Sequence, residues 1–241
     1  MQRVKLLGLA LLAAVACSAV ASASATAAEP ELLGVTSKGA VLGVIEGESK
    51  AGTETTLETK VGTTVKCKTA KSTGGTTAGT VEPLKESKGT KVTFTGCVES
   101  VFGGKCNSAG KGAGIIETNA LASKLDYVTG SAKKEVGLEL YPEAGNLFVT
   151  FECTGGFAKI EVIGSVIGQL GAGQFKKATK TLNLVFAKGA TKGSQKIKEI
   201  ENGKNKPTLL LSKLNAGEFE ESNQQGEGTI KSSVEEIELM A

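Results

Sequence analysis

The sequence has no histidine and no tryptophan, a single arginine (Arg3), a single aspartate (Asp126) and only two tyrosines, Tyr127 and Tyr141. Each shortage removes a class of chemistry. Without His there is no Ser-His-Asp or Cys-His nucleophile machinery, and most catalytic zinc and non-haem iron sites lose their usual ligands. Without Arg in the body of the chain, bidentate recognition of phosphate or carboxylate is missing. So few aromatics leave little to stack on bases or sugars, and one Asp does not build an EF-hand-type calcium loop. No cofactor and no metal site are expected.

What is present begins with an export signal. Arg3 and Lys5 form a short positive region, Leu6 to Val15 is apolar apart from Gly8, and small residues follow. Ala23-Ser24-Ala25 and Ala25-Thr26-Ala27 both fit an Ala-x-Ala cleavage site, which places the cut between Ala25 and Ala28. The apolar run is too short for a membrane anchor. A lipid anchor on Cys17, after Ala14-Val15-Ala16, is the alternative, although the usual Leu three residues before the Cys is absent. Residues 1–28 are thus expected to be a signal peptide and residues 29–241 a single extracellular domain, secreted and without a membrane span.

The remaining chain carries 26 Lys against 25 acids, 24 of them Glu, for a net charge of +1. That balance gives no global steering towards nucleic acid or an acidic membrane. The charges are nevertheless segregated. Lys176 to Lys206 has a balance of +7 and Asn215 to the end one of −6. We read both as solvated loops and strand faces that keep a β-rich surface soluble. The sharper alternative is a contact for anionic cell-wall polymer through 176–206.

Four cysteines follow the signal, Cys67, Cys97, Cys106 and Cys153, with gaps of 30, 9 and 47 residues. An even number in an exported chain implies two disulfides, and the spacing lacks the short pairs of a thiolate metal site. Period-two alternation dominates the sequence. It appears in 61–68, in 91–98 with Val92, Phe94 and Val98 together, in 135–141, in Leu147, Val149, Phe151 and Cys153, in Ile160, Val162 and Val166, and in Leu182, Leu184 and Phe186. Further strands are expected at 32–36, 40–46, 113–117, 119–128, 207–214, 217–221 and 228–239, with glycine-rich turns between them. The fold class is all-β: an antiparallel β-sandwich or distorted barrel of about a dozen short strands.

The facing of these runs suggests a pairing. Cys67 continues the face of Val61 and Val65, and Cys153 that of Leu147, Val149 and Phe151. Cys97 falls opposite Val92 and Phe94, and Cys106 lies just past Gly103-Gly104. This predicts Cys67–Cys153 across the core and Cys97–Cys106 across a hairpin-like turn.

Motifs are few. Ser108-Ala109-Gly110-Lys111 matches the S-x-x-K of penicillin-binding enzymes, but no helical pattern surrounds it and its companion motifs are absent, so it reads as a loop. Glu152 and Glu161 fall on polar strand faces and are not singled out as a glycosidase pair. Gly164 to Gly173 lacks the Lys-Ser/Thr of a phosphate loop. No catalytic residue is assigned.

Several stretches carry a resemblance: the Ala28-Glu29-Pro30-Glu31 junction, Val65-Lys66-Cys67-Lys68, Val92-Thr93-Phe94-Thr95-Gly96-Cys97, Gly104-Lys105-Cys106, Lys134-Glu135-Val136-Gly137-Leu138, Phe151-Glu152-Cys153 and Gly164-Ser165-Val166-Ile167-Gly168. Together they resemble a group of uncharacterised secreted proteins of high-GC Gram-positive bacteria. The resemblance implies export and four framework cysteines, and no activity. The function expected is a non-enzymatic binding or structural module at the cell envelope or outside it, with an envelope polymer or protein as partner. The alternative is a carboxylate-based hydrolase of a cell-wall or extracellular polymer. Intact mass of the exported protein should place its N-terminus within Thr26 to Glu29; a diacylated Cys17 terminus would contradict this.

Overall fold

A computed structural model of the chain describes residues 29–36, 45–73, 85–131, 135–155, 158–171 and 173–240. The signal segment, Cys17 and most of the strand expected at 40–46 lie outside these residues. Among those described there is no helix, and eighteen strands occur. The N-terminal half contributes β1 (Glu31–Gly34), β2 (Ile45–Ser49), β3 (Thr55–Thr59), β4 (Thr64–Cys67), β5 (Thr69–Thr73), β6 (Glu86–Thr95), β7 (Val98–Glu99), β8 (Cys106–Asn107) and β9 (Ile115–Glu117). The C-terminal half contributes β10 (Leu121–Tyr127), β11 (Val136–Pro142), β12 (Leu147–Cys153), β13 (Ala158–Gly164), β14 (Val166–Leu170), β15 (Leu182–Phe186), β16 (Leu210–Leu214), β17 (Glu220–Ser232) and β18 (Ile237–Met240).

The all-β reading holds, and the architecture is a barrel. Eight antiparallel strands form a closed ring in the order β2, β5, β6, β10, β11, β14, β15, β17, with β17 returning to β2. Closure leaves no unpaired edge in the ring, which is how all-β proteins avoid edge-to-edge pairing with other chains.

A second course of strands is built onto one end of this barrel. The first half of β17 pairs with β3 and β16, and the second half with β2 and β15. From β3 the ladder passes through β4 to β7. The Val98–Lys105 bridge then leads to β8, and β12, β13 and β16 bring it back to β17. The two courses share register as well as a strand. Val65 stands opposite Glu99 in one and Thr69 opposite Thr95 in the other, so β4–β5 and β6–β7 form one continuous antiparallel pair.

The alternation in the sequence explains the cores. Val149, Phe151 and Cys153 of β12 are all buried, and they pack with Val65, Ile160, Val162 and Leu210 inside the second course. At the far end of the first barrel, Leu32, Ile237 and Leu239 of the β1–β18 pair close over Leu125, Leu170, Leu182 and Ile230. One expected run divides. Gly164 turns the chain with φ +91°, so Val166 belongs to β14 and not to the strand of Ile160 and Val162.

The disulfides are Cys67–Cys97 and Cys106–Cys153, which corrects the pairing expected from facing. All four cysteines point inward, and Cys97 is 0% exposed. The alternation of facing is interrupted at Gly96. Its φ of +66° breaks the pleat, so Thr95 and Gly96 both face outward and Cys97 turns to the interior. Lys68 and Thr69 break the pleat at the same level on the facing strand, which leaves Cys67 directly across from Cys97. A hairpin does join Cys97 to Cys106, whose N–H donates to the Cys97 carbonyl (3.0 Å). Each of these two cysteines is nevertheless bonded to the strand on its other side, Cys106 to the Cys153 that stands opposite it in register.

The closed loops span 30 and 47 residues. Chain entropy gives each bridge an upper value of roughly 3.7 and 4.0 kcal/mol respectively. Replacing either pair by Ala should therefore destabilise by similar amounts in urea unfolding. Non-reducing peptide mapping should recover Cys67–Cys97 and Cys106–Cys153 peptides; a Cys67–Cys153 peptide would contradict the structure.

Candidate ligand-binding lumen

The interior of the closed barrel is unevenly furnished. Leu125 of β10, Leu138 and Leu140 of β11, and Leu184 and Phe186 of β15 project large apolar groups from one arc. The facing arc is lined by Gly47 and Ser49 of β2, Ala70 and Ser72 of β5, Ser87 and Thr90 of β6, and Gly226 and Gly228 of β17. Val92 and Phe94 close the end towards the second course, and Leu32 the end under β1. An eight-stranded barrel is just wide enough for side chains to fill its centre or to leave room for one small ligand. Here the facing arc contributes mostly small side chains, Ile45 of β2 and Ile230 of β17 being its large ones, and a cavity of about 120 Å³ remains.

The small residues are part of the wall's construction. A Cβ on Gly47 would come within 2.6 Å of the Ser72 Oγ, so a larger residue there would turn that hydroxyl aside and take up lumen space. The hydroxyls are largely engaged with the wall. Ser87 and Ser123 share a hydrogen bond (Oγ···Oγ 2.7 Å), and Ser49 Oγ accepts from the Ala70 N–H (2.9 Å). The charged residues at the lining are each neutralised by ion pairing: Lys85 with Glu29 (3.2 Å), Glu48 with Lys71 (3.1 Å) and Glu227 with Lys50 (3.2 Å). The lumen therefore presents an apolar arc, a neutral hydroxyl-bearing arc and no uncompensated charge among the described residues.

A smaller void of about 50 Å³ lies in the second course, lined by Leu57, Val65, Phe151 and Val162 among others. It shares Thr55, Phe94, Phe148 and Gln224 with the lumen, so these four side chains form the partition between the two spaces.

The residues weighed in the sequence lie elsewhere. Ser108 is buried in a turn, where its hydroxyl accepts from the Glu117 N–H (3.1 Å) and donates to the Glu117 carbonyl (3.2 Å). Lys111 reaches the Glu117 carboxylate (2.8 Å), not the serine, and this pairing holds the Glu117 carboxyl below its usual range. Glu152 is exposed on β12. Glu161 is clamped by Lys213 (2.8 Å) and Lys159 (3.2 Å), and hydrogen bonds from those two lysines lower its pKa. A general acid needs the opposite shift. Two buried carboxylates, Asp126 and Glu139, anchor one loop. Asp126 accepts from the Tyr127 and Asn202 N–H groups, and Glu139 from the Lys204 N–H (2.7 Å) and the Thr208 hydroxyl (3.4 Å). Together they fix the segment around 202–208 to the outside of β10 and β11. Burial, with Glu201 and Asp126 nearby, raises the pKa of Tyr127.

Sequence reasoning did not find the lumen. Its hollow arc is made largely of Gly, Ala and Ser, residues that carry no alternation signal, and β5 (Thr-Ala-Lys-Ser-Thr) lies outside the strands expected from the sequence. Comparison of the chain with protein-family models, with curated proteins and with solved structures finds no match.

The buried serine pair offers a local test. Ser123→Ala leaves the Ser87 hydroxyl without its partner and should cost about 1–3 kcal/mol in urea unfolding, whereas removing both hydroxyls should cost distinctly less. Equal losses for the single and double variants would show that the pair does not form.

Proposed function

We propose that this is an exported, non-enzymatic binding protein that encloses a neutral, apolar small molecule in its barrel. The observation that carries the reading is the two-sided lumen: an arc of Leu and Phe faces an arc in which Gly, Ala, Ser and Thr outnumber Ile45 and Ile230, across an unfilled space. Apolar cavities of roughly 150 Å³ lined by Leu, Ile and Phe stay dry and take up benzene or xenon, and this one is of similar size. A ligand body of one ring or a short alkyl chain fits that volume. Its apolar side would lie against Leu138 and Leu184, with room for one neutral polar group near Ser72 or Thr90. An ionised ligand would be buried without a counter-charge, which is strongly unfavourable.

Export is supported by the N-terminal signal pattern and by two disulfides, which persist in oxidising compartments. Among the described residues, no helix is long and apolar enough to cross a membrane.

Methyl NMR of the purified protein, titrated with benzene and separately with benzoate, tests the reading. Benzene should give saturable shifts at Leu125, Leu138 and Leu184, and benzoate none. Ala70→Leu fills the lumen without removing a polar partner; it should abolish the benzene response while leaving the protein folded and at least as stable. Silence of the lumen methyls, an equal response to benzoate, or full binding by Ala70→Leu would overturn the proposal.

A further inference from the structure

The end of the second course farthest from β1 and β18 is a rim of turns. The β3–β4 turn (60–63) neighbours the β7–β8 turn (100–104), because the Ser100 N–H donates to the Thr64 carbonyl (2.9 Å). The turn after β12 comes next, where the Thr154 N–H donates to the Lys105 carbonyl (3.0 Å). Three of the most exposed large apolar side chains among the described residues project from the first two turns: Val61 (64%), Val101 (68%) and Phe102 (72%).

These side chains are held outward by construction. Glu99 is buried (6% exposed) directly beneath the second turn. Its two carboxylate oxygens accept the N–H groups of Val101 and Phe102, both at 2.8 Å. Charge-assisted bonds of this kind are short and strong, so the tip is a fixed projection.

Positive charge surrounds it. A hairpin bridged by Lys188 and Gln195 packs its tip on the β3–β4 turn, with the Lys192 ammonium against Gly62 and Gly193 against the Lys60 backbone. Lys60, Lys105, Lys188, Lys192 and Lys196 have no ion-pair partner among the described residues, whereas Lys198 is paired with Glu221 (3.3 Å). Of the acidic residues near the rim, Glu218 and Glu220 lie at the β16–β17 turn, Glu221 is the partner of Lys198, and Glu58 accepts from the Asn223 amide (3.2 Å).

We infer that this rim docks on an anionic lipid surface, with Val61, Val101 and Phe102 entering the interface and the lysines around them meeting headgroups. The shape decides between partners. Protruding apolar side chains on adjacent tips need a matching pocket on a protein, while a bilayer interface accepts them without one, and binding there scales with apolar burial plus attraction to anionic lipid. The inference is independent of the lumen's ligand; either can fail alone.

The test is flotation of the purified protein, its N-terminus fixed by mass so that residues 6–15 do not supply the binding. Vesicles of phosphatidylcholine with and without phosphatidylglycerol are compared. Binding should require phosphatidylglycerol and weaken as salt is raised. Val101→Ser with Phe102→Ser should weaken it at least ~tenfold, from the apolar burial lost, with the unfolding midpoint unchanged because both side chains are exposed. Lys60→Glu with Lys192→Glu should weaken it as well. Three results would overturn the inference: equal binding to pure phosphatidylcholine, wild-type binding by the Val101/Phe102 variant, or no binding to phosphatidylglycerol vesicles, with a self-association that this variant abolishes then assigning the rim to a second copy of the chain.

Discussion

The structure depends on one strand that hydrogen-bonds to four others. β17 pairs with β16 and β3 along its first half and with β15 and β2 along its second. Its second half closes the eight-stranded ring, and its first half carries the ladder onward into the second course. Once the ring is closed its backbone groups are paired, and what remains open is how its interior is filled. The side chains of β2, β5 and β17 leave it unfilled on one side.

That asymmetry links packing to function. A core of uniformly large residues would give a solid barrel whose interior served stability alone. Here two clusters of buried side chains flank the lumen. The β1–β18 pair seals one end of the lumen with Leu32, Ile237 and Leu239, and the second-course core around Phe151 and Ile160 backs the other. The lumen between them can forgo packing because both its ends are firmly built. The four cysteines stand in one row across adjacent strands, Cys67 opposite Cys97 and Cys106 opposite Cys153, at the level where the first barrel gives way to the second course. They tie that junction together.

Much of the fold was legible because burial on one face writes period two into a strand. β11, β12 and β15 all carry Leu, Val or Phe at alternate positions, and the all-β class followed from such runs. The failures have physical causes as specific as the successes. A single glycine with positive φ, Gly96, inverted the facing of Cys97 and with it the disulfide pairing. Short strands with two or three ladder bonds, such as β7 and β8, leave no periodic trace. The candidate site was illegible for a deeper reason: it consists of side-chain volume withheld. Gly47, Ala70 and Ser72 line a cavity because they are small, and small residues look the same in a turn as in a barrel wall. The turn at Val101 and Phe102 was equally hidden, since only the structure shows Glu99 buried beneath it.

The central claim is that the barrel encloses usable apolar space. A crystal of the protein held under xenon pressure tests it most directly. The account predicts a xenon atom in the lumen between Ala70 and Leu138, within van der Waals reach of Leu184, and none in the same place in Ala70→Leu. A lumen closed by inward side chains, or one filled by hydrogen-bonded water that xenon does not displace, would contradict it.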